Sequence, residues 1–180
     1  MRILAALLTF GTFFVGALFM GTNLSSASTL PLTTVDHVDL NRYAGKWYEI
    51  ARYPNRFQRK CQSDTTATYT IRADGKVQVL NACREKDGKI TNANGTAKVV
   101  DSSTNAKLKV TFFWPFYGDY WVIGLSPDYT YAIVGEPDRK YLWILSRAPT
   151  IDETTYREVL QRVESLGYQP GNLMKTPQSK

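Results

Sequence analysis

Two cysteines, one histidine and scattered carboxylates bound the covalent chemistry open to this chain of 180 residues. Cys61 and Cys83 could close a disulfide, supply a nucleophilic thiolate or join a metal site. A zinc site takes four donors, and the only imidazole is His37, ahead of every predicted strand. No metal site is therefore expected. The same lone His37 excludes a Ser-His-Asp set and is a poor axial ligand for haem. No catalytic residue and no cofactor are predicted. A different chemistry is suggested by Arg56, Arg59 and Lys60, which occur without an acid between Pro54 and Gln62, and by the apolar run Trp114-Pro115-Phe116-Tyr117-Gly118. Aromatic rings with basic side chains suit an anionic bilayer surface, the aromatics at the interface and the cations on head groups.

The elements that must position these residues follow from composition and pattern. Apolar residues make up 43% and charged residues 21%, which excludes a disordered chain. The net charge is +6, but no nucleic-acid motif accompanies it, so nucleic acid is not an expected partner. Residues 1–27 read as an export signal: Arg2 leads an apolar run from Ile3 to Met20, and Ser25 and Ala27 suit a signal-peptidase site. Cleavage would leave a mature chain starting near Ser28. The alternative is an uncleaved anchor, since the run is long enough to span a bilayer. No cysteine lies near the junction, so a lipoprotein is not expected. In an exported chain, exactly two thiols read as one disulfide.

After a lead over 28–37, turn signals divide the chain into eight short strands, near 46–53, 64–71, 77–83, 91–100, 107–112, 119–125, 130–135 and 141–146. The Asp74-Gly75 turn between two alternating runs is a strong hairpin signal. Consecutive short hairpins predict an all-β, up-and-down antiparallel barrel of eight strands, closed and wide enough for one small ligand. Thr150-Ile151-Asp152-Glu153 has capping-box spacing, and Tyr156, Val159, Leu160, Val163 and Leu166 then give one apolar face ending at Gly167. This is a single C-terminal helix packed outside the barrel. The unit is expected over 38–168, with 169–180 a loosely held tail.

Three segments carry a family resemblance. Gly45-Lys46-Trp47-Tyr48-Glu49-Ile50 opens the first strand, Asp128-Tyr129-Thr130-Tyr131-Ala132 lies at the sixth-to-seventh turn, and Leu142-Trp143-Ile144-Leu145-Ser146-Arg147-Ala148-Pro149 ends the eighth strand. In this order and spacing they resemble the three motifs of the lipocalins, in the branch of bacterial lipocalins, temperature-induced lipocalins and apolipoprotein D. The resemblance implies that Trp47 sits inside the closed end with Arg147 across its ring and Gly45 allowing the close approach. It also implies a cavity holding a small hydrophobic ligand, with roles in membrane lipid maintenance or stress protection.

With Trp47 inside, alternation assigns the inward face. The first strand offers Glu49 and Ala51, the second Ala67, Tyr69 and Ile71, the third Val77, Val79 and Asn81. The fourth offers the small Gly95 and Ala97, the fifth Leu108, Val110 and Phe112, the eighth Tyr141, Trp143 and Leu145. On the sixth, either Tyr120 or Trp121 faces in. Glu49 needs a partner, for which Arg147 or a tyrosine hydroxyl is available. Cys61 and Cys83 should meet near the open end across the second and third strands. The rim of Arg56, Arg59, Lys60, Trp114 and Phe116 either docks on an anionic membrane, or Trp114 and Phe116 fold over the opening as a lid. The expected activity is carriage of a lipid such as a fatty acid or lysophospholipid. The rivals are a lipid-modifying enzyme of the same fold, which would need a free thiol or acidic residues, and a pigment or tetrapyrrole binder. The sequence fixes no oligomeric state.

Overall fold

The computed structural model describes residues 30–179; the predicted signal and its cleavage point lie outside them. A short helix, α1 (Leu40–Tyr43), is capped by Asp39, whose carboxylate accepts from the amides of Asn41 and Arg42. Eight strands follow: β1 (Gly45–Arg52), β2 (Cys61–Ile71), β3 (Val77–Glu85), β4 (Ile90–Val99), β5 (Lys107–Phe113), β6 (Phe116–Leu125), β7 (Tyr131–Gly135) and β8 (Leu142–Ser146). Each pairs antiparallel with the next, and β1 pairs with both β8 and β2, so the sheet closes into a barrel. This is the predicted architecture. Strand β6 begins at Phe116 rather than 119, because Phe113 and Phe116 pair across a tight Trp114-Pro115 turn.

Two apolar clusters form, one on each side of the wall. The interior cluster includes Trp47, Tyr69, Val79, Leu108, Val122 and Leu145. The exterior one joins Ile50, Ala51, Ile123, Ile133, Leu142 and Ile144 to the helix α2 (Glu153–Ser165), which buries Tyr156, Val159 and Val163. The cap of α2 is Asp152, which accepts from Thr155 N at 2.9 Å. The expected Thr150 box is displaced by two residues, since Asp152 itself supplies the capping carboxylate.

The register of β1 shifts between Glu49 and Ala51. A bulge there places Ile50 and Ala51 together on the outer face, beneath α2. Ala51 is therefore outside the barrel, contrary to simple alternation. Arg52 takes the inward parity instead, opposite Trp143. A second shift lies between Val122 and Gly124 of β6: ordinary alternation turns Val122 inward and Ile123 outward, and the shift then returns Leu125 to the interior.

The tail is not loose. A turn of 3₁₀ helix (Pro170–Asn172) leads to β9 (Met174–Lys175), which pairs with Ala51 and Arg52. Strands β1 and β2 pair only from Gly45 to Tyr48, so beyond Tyr48 their edges are open to the tail. Thr176 N donates to Ile50 O, Asp64 N to Pro177 O, and Gln178 Nε2 to the carbonyls of Glu49 and Thr65. The backbone groups left by the splayed strands thus find partners in the tail.

Asp64 ties the tail down. Its carboxylate accepts from Arg84 Nε at 2.7 Å, and from Ser179 N at 2.6 Å and Ser179 Oγ at 2.9 Å. The hydrogen bond from Arg84, then that from the Ser179 amide, holds its pKa at about 2, against 3.8 ordinarily. A depressed folded pKa means that this stabilisation is complete above 3.8 and is lost as pH falls through about 2. Acid titration of stability should show a loss across this window that is smaller in Asp64→Asn, with faster amide exchange at Thr176 in the variant at neutral pH. Equal acid dependence in the two proteins would contradict the assignment.

Candidate functional site

Closing eight strands leaves an interior that the wall residues do not fill. Here it is a cavity of about 940 Å³, within the usual range of small-molecule pockets. Its wall is made by the inward parity of each strand. Register places Ala67 opposite Asn81 and Asn81 opposite Ala93, Tyr69 opposite Val79, Ala97 opposite Val110, and Leu108 opposite Tyr120. Of the residues assigned inward from the sequence, Glu49, Ala67, Tyr69, Ile71, Val77, Val79, Asn81, Ala97, Leu108, Val110, Phe112, Tyr120, Tyr141, Trp143 and Leu145 border it.

Three assigned residues do not. Ala51 is turned out by the bulge. Trp121 lies on the outer surface, with Lys107 Nζ 4.7 Å from its ring centre, which leaves Tyr120 as the inward residue of β6. Gly95 has the inward parity, but Phe112 occupies its space: a Cβ there would stand 2.8 Å from the Phe112 ring. The glycine accommodates an aromatic ring and leaves no hollow.

The floor is Trp47, fully buried. Its Nε1 donates to Tyr43 O at 2.8 Å, and the Arg147 guanidinium lies 3.9 Å from its ring centre. Arg147 also donates to Lys46 O at 3.0 Å and to Arg42 O at 2.5 Å. Gly45 has φ +94°, and any Cβ would come within 3.2 Å of Arg147 Nη1. Tyr43 packs on Trp47 with the rings tilted, 5.0 Å between centres, and its hydroxyl meets that of Tyr120 at 2.7 Å. Tyr69 hydroxyl meets Tyr120 from the other side at 2.8 Å.

The upper wall carries a polar relay. The bulge brings Glu49 and Arg52 to one face, 2.6 Å apart, both buried. Arg52, and not Arg147 or a tyrosine, is the partner of Glu49. Thr176 Oγ1 donates to the same Glu49 oxygen, while Gln58 Nε2 donates to the other at 2.5 Å. Gln58 Oε1 accepts from Trp143 Nε1 at 2.9 Å and from Asn55 Nδ2 at 2.8 Å. Removing one member of a buried ion pair strands the other, at a cost of about 3–5 kcal/mol. Asn81 Oδ1 is buried in the wall without a protein partner among the described residues.

Sequence patterning missed Gln58, Arg52 and Tyr43. Gln58 sits in the β1–β2 connection, where no periodicity applies; its one signal is Asn55 three residues earlier, whose Oδ1 accepts from Gln58 N. Tyr43 ends a four-residue helix announced only by Asp39 as cap.

The mouth is at the opposite end from Trp47. Cys61 and Cys83 both border it and form a disulfide, with Cα atoms 5.5 Å apart. Pinning β2 to β3 here is worth about 3 kcal/mol in the chain-entropy view. Around the mouth Arg56, Arg59 and Lys60 are exposed, and Phe57, Phe113, Trp114 and Phe116 are 63%, 76%, 77% and 71% exposed. A lid would bury its rings, so this conformation is open. At the far end, hydrogen bonds in their turns lower the pKa values of Asp74, Asp101 and Asp128, chiefly from Lys76 N, Ser103 Oγ and Ser126 Oγ respectively.

Arg147→Met removes the cation over the indole and two hydrogen bonds to carbonyls. Urea unfolding should show a loss of about 1–3 kcal/mol. Since Arg147 is outside the cavity, affinity of the folded variant for any cavity ligand should change less than about threefold. Unchanged stability would refute the role given to the floor.

Comparison with known proteins agrees with this geometry. Residues 38–178 match the family model of the lipocalin-like domain. The chain is 44% identical to temperature-induced lipocalin-1 of Arabidopsis thaliana over 156 residues, covering 82% of this chain and 83% of that protein. It is 47% identical to outer membrane lipoprotein Blc of Escherichia coli K12 over 130 residues, covering 72% and 73%. Among solved structures, insecticyanin of Manduca sexta superposes with a TM-score of 0.68 at 22% identity, over 83% of this chain and 85% of that one, a likeness of fold. On its three motifs, its closed eight-strand barrel with one outer helix, and these relatives, the chain belongs to the lipocalin family.

Proposed function

We propose that this lipocalin is an exported, non-enzymatic carrier of a single-chain lipid, a fatty acid or lysophospholipid, exchanged with an anionic membrane through its rim. The observation that carries the reading is the shape of the cavity: a deep apolar well closed by Trp47 and open at a rim that is both aromatic and basic. Apolar walls take the acyl chain, with each buried methylene contributing about 0.8 kcal/mol. The exposed rings Trp114 and Phe116 seat at the interface, and Arg56, Arg59 and Lys60 meet anionic head groups. Glu136, in the β7–β8 turn, is engaged by the amides of Asp138, Lys140 and Tyr141. Both sulfur atoms are committed to the disulfide, which removes the thiol on which an enzyme reading would rest.

Displacement of a fluorescent fatty acid by saturated acids of increasing length tests the cavity. Affinity should rise by about fourfold per added methylene until the well is full. A flat response would overturn lipid carriage.

Liposome co-sedimentation tests the rim. Anionic vesicles should bind better than neutral ones, with loss in Trp114→Ser/Phe116→Ser and in Arg59→Glu/Lys60→Glu. If no vesicle binds the unaltered protein while ligand uptake falls in the aromatic variant, those rings act as a lid and docking is refuted.

A further inference from the structure

The lower cavity contains a hydrogen-bonding group that an acyl chain does not use. Tyr43 from α1, Tyr69 from β2 and Tyr120 from β6 reach across the barrel until their hydroxyls meet, with Tyr120 in the middle at 2.7 Å and 2.8 Å from the other two. Their rings are held by contact with one another and with the floor: 6.0 Å from Tyr69 to Tyr120, 5.5 Å from Tyr43 to Tyr69, and 5.0 Å from Tyr43 to Trp47. All three border the cavity.

Three hydroxyls carry three protons, and two O···O contacts use two of them. Among the described residues no other protein group bonds these oxygens. Whichever way the chain of donors runs, one proton is left over, together with unused lone pairs. Burial raises the pKa of Tyr43 and Tyr120 well above the ordinary tyrosine value and that of Tyr69 to about 12, so the hydroxyls remain protonated donors.

A group able both to give and to take a hydrogen bond thus lies deep in the well, below the polar relay of the upper wall. A terminal methyl meeting it would leave the spare proton unpaired, which is costly in a desolvated site. A charged group at that depth would lack a free counter-ion, because Arg147 lies beyond Trp47 and the buried Arg52 is paired with Glu49 in the upper wall. A neutral hydroxyl satisfies both directions at once.

We propose that the Tyr43–Tyr120–Tyr69 hydroxyl chain recognises a neutral oxygen, above all a hydroxyl, at the buried end of a single-chain lipid whose anionic head stays at the basic mouth. The proposal rests on the lipid-carrier reading and names its substrate class: oxygenated chains, hydroxylated far from the head group. A site of this kind discriminates strongly, because the analogue lacking the oxygen leaves protein groups unpaired.

The test uses the disulfide-bonded protein and a set of hexadecanoic acids carrying one hydroxyl at successive positions, each competing with a fluorescent fatty acid. The unaltered protein should favour an isomer hydroxylated in the distal half of the chain, by about tenfold over isomers hydroxylated near the carboxylate. Tyr120→Phe and Tyr69→Phe should abolish that preference, bringing the distal isomers to the affinity of those hydroxylated near the carboxylate. The positional scan in the unaltered protein needs no variant, so it stands even if a substitution prevents folding. Plain acid bound with no positional preference, or a preference retained in both variants, overturns this proposal alone. No acid bound at all overturns the carrier reading and this one with it.

Discussion

The Arg147 guanidinium lies over the indole of Trp47, 3.9 Å from its centre, and this contact determines which end of the barrel is closed. A guanidinium on an indole face gains about 0.5–2 kcal/mol, more when water is excluded. The geometric effect is larger. With Trp47 fixed inside, the pleat of β1 is fixed, and through cross-strand pairing the inward face of every strand follows. Tyr43 then packs against the indole, and Tyr69 and Tyr120 reach toward it, so the bottom of the well is aromatic and polar. The mouth, one strand's length away, is left to the connections. There the disulfide, the basic residues and the exposed rings gather.

Two bulges let one continuous sheet serve two cores. Ile50 and Ile123 point outward by ordinary alternation, where α2 covers them, and beside each the alternation slips: the first slip keeps Ala51 outside and the second returns Leu125 inside. At the first of these the same slip turns Arg52 inward beside Glu49. The tail completes that arrangement by pairing with Ala51 and Arg52 and by giving Glu49 the hydroxyl of Thr176. An ion pair in the wall of an apolar well is tolerable because every oxygen of Glu49 has a donor.

Much of this was legible in the residues. The eight strands, the outer helix, the disulfide and most wall positions follow from period-two alternation, the Asp74-Gly75 turn and the pairing of two thiols. Where the sequence misled, the cause was local. Ala51 looked inward because a bulge leaves no mark in the sequence, and strict alternation then put Arg52 outside. Gly95 promised space that Phe112 fills, since alternation gives parity but not rotamer. The tail looked loose because its partners, Asp64 and Ile50, are more than a hundred residues away. Gln58 had no pattern to betray it, because a loop residue's role depends on where the loop folds back.

The central claim is that this barrel is a well for one chain-like amphiphile, entered from the basic, aromatic rim. Native mass spectrometry of protein purified from its own host, followed by identification of the released molecule, tests it most directly. The account predicts one single-chain lipid per protein, lost on organic extraction and regained on incubation with the same lipid. A bound pigment, or protein that carries nothing and takes up no lipid, would contradict it.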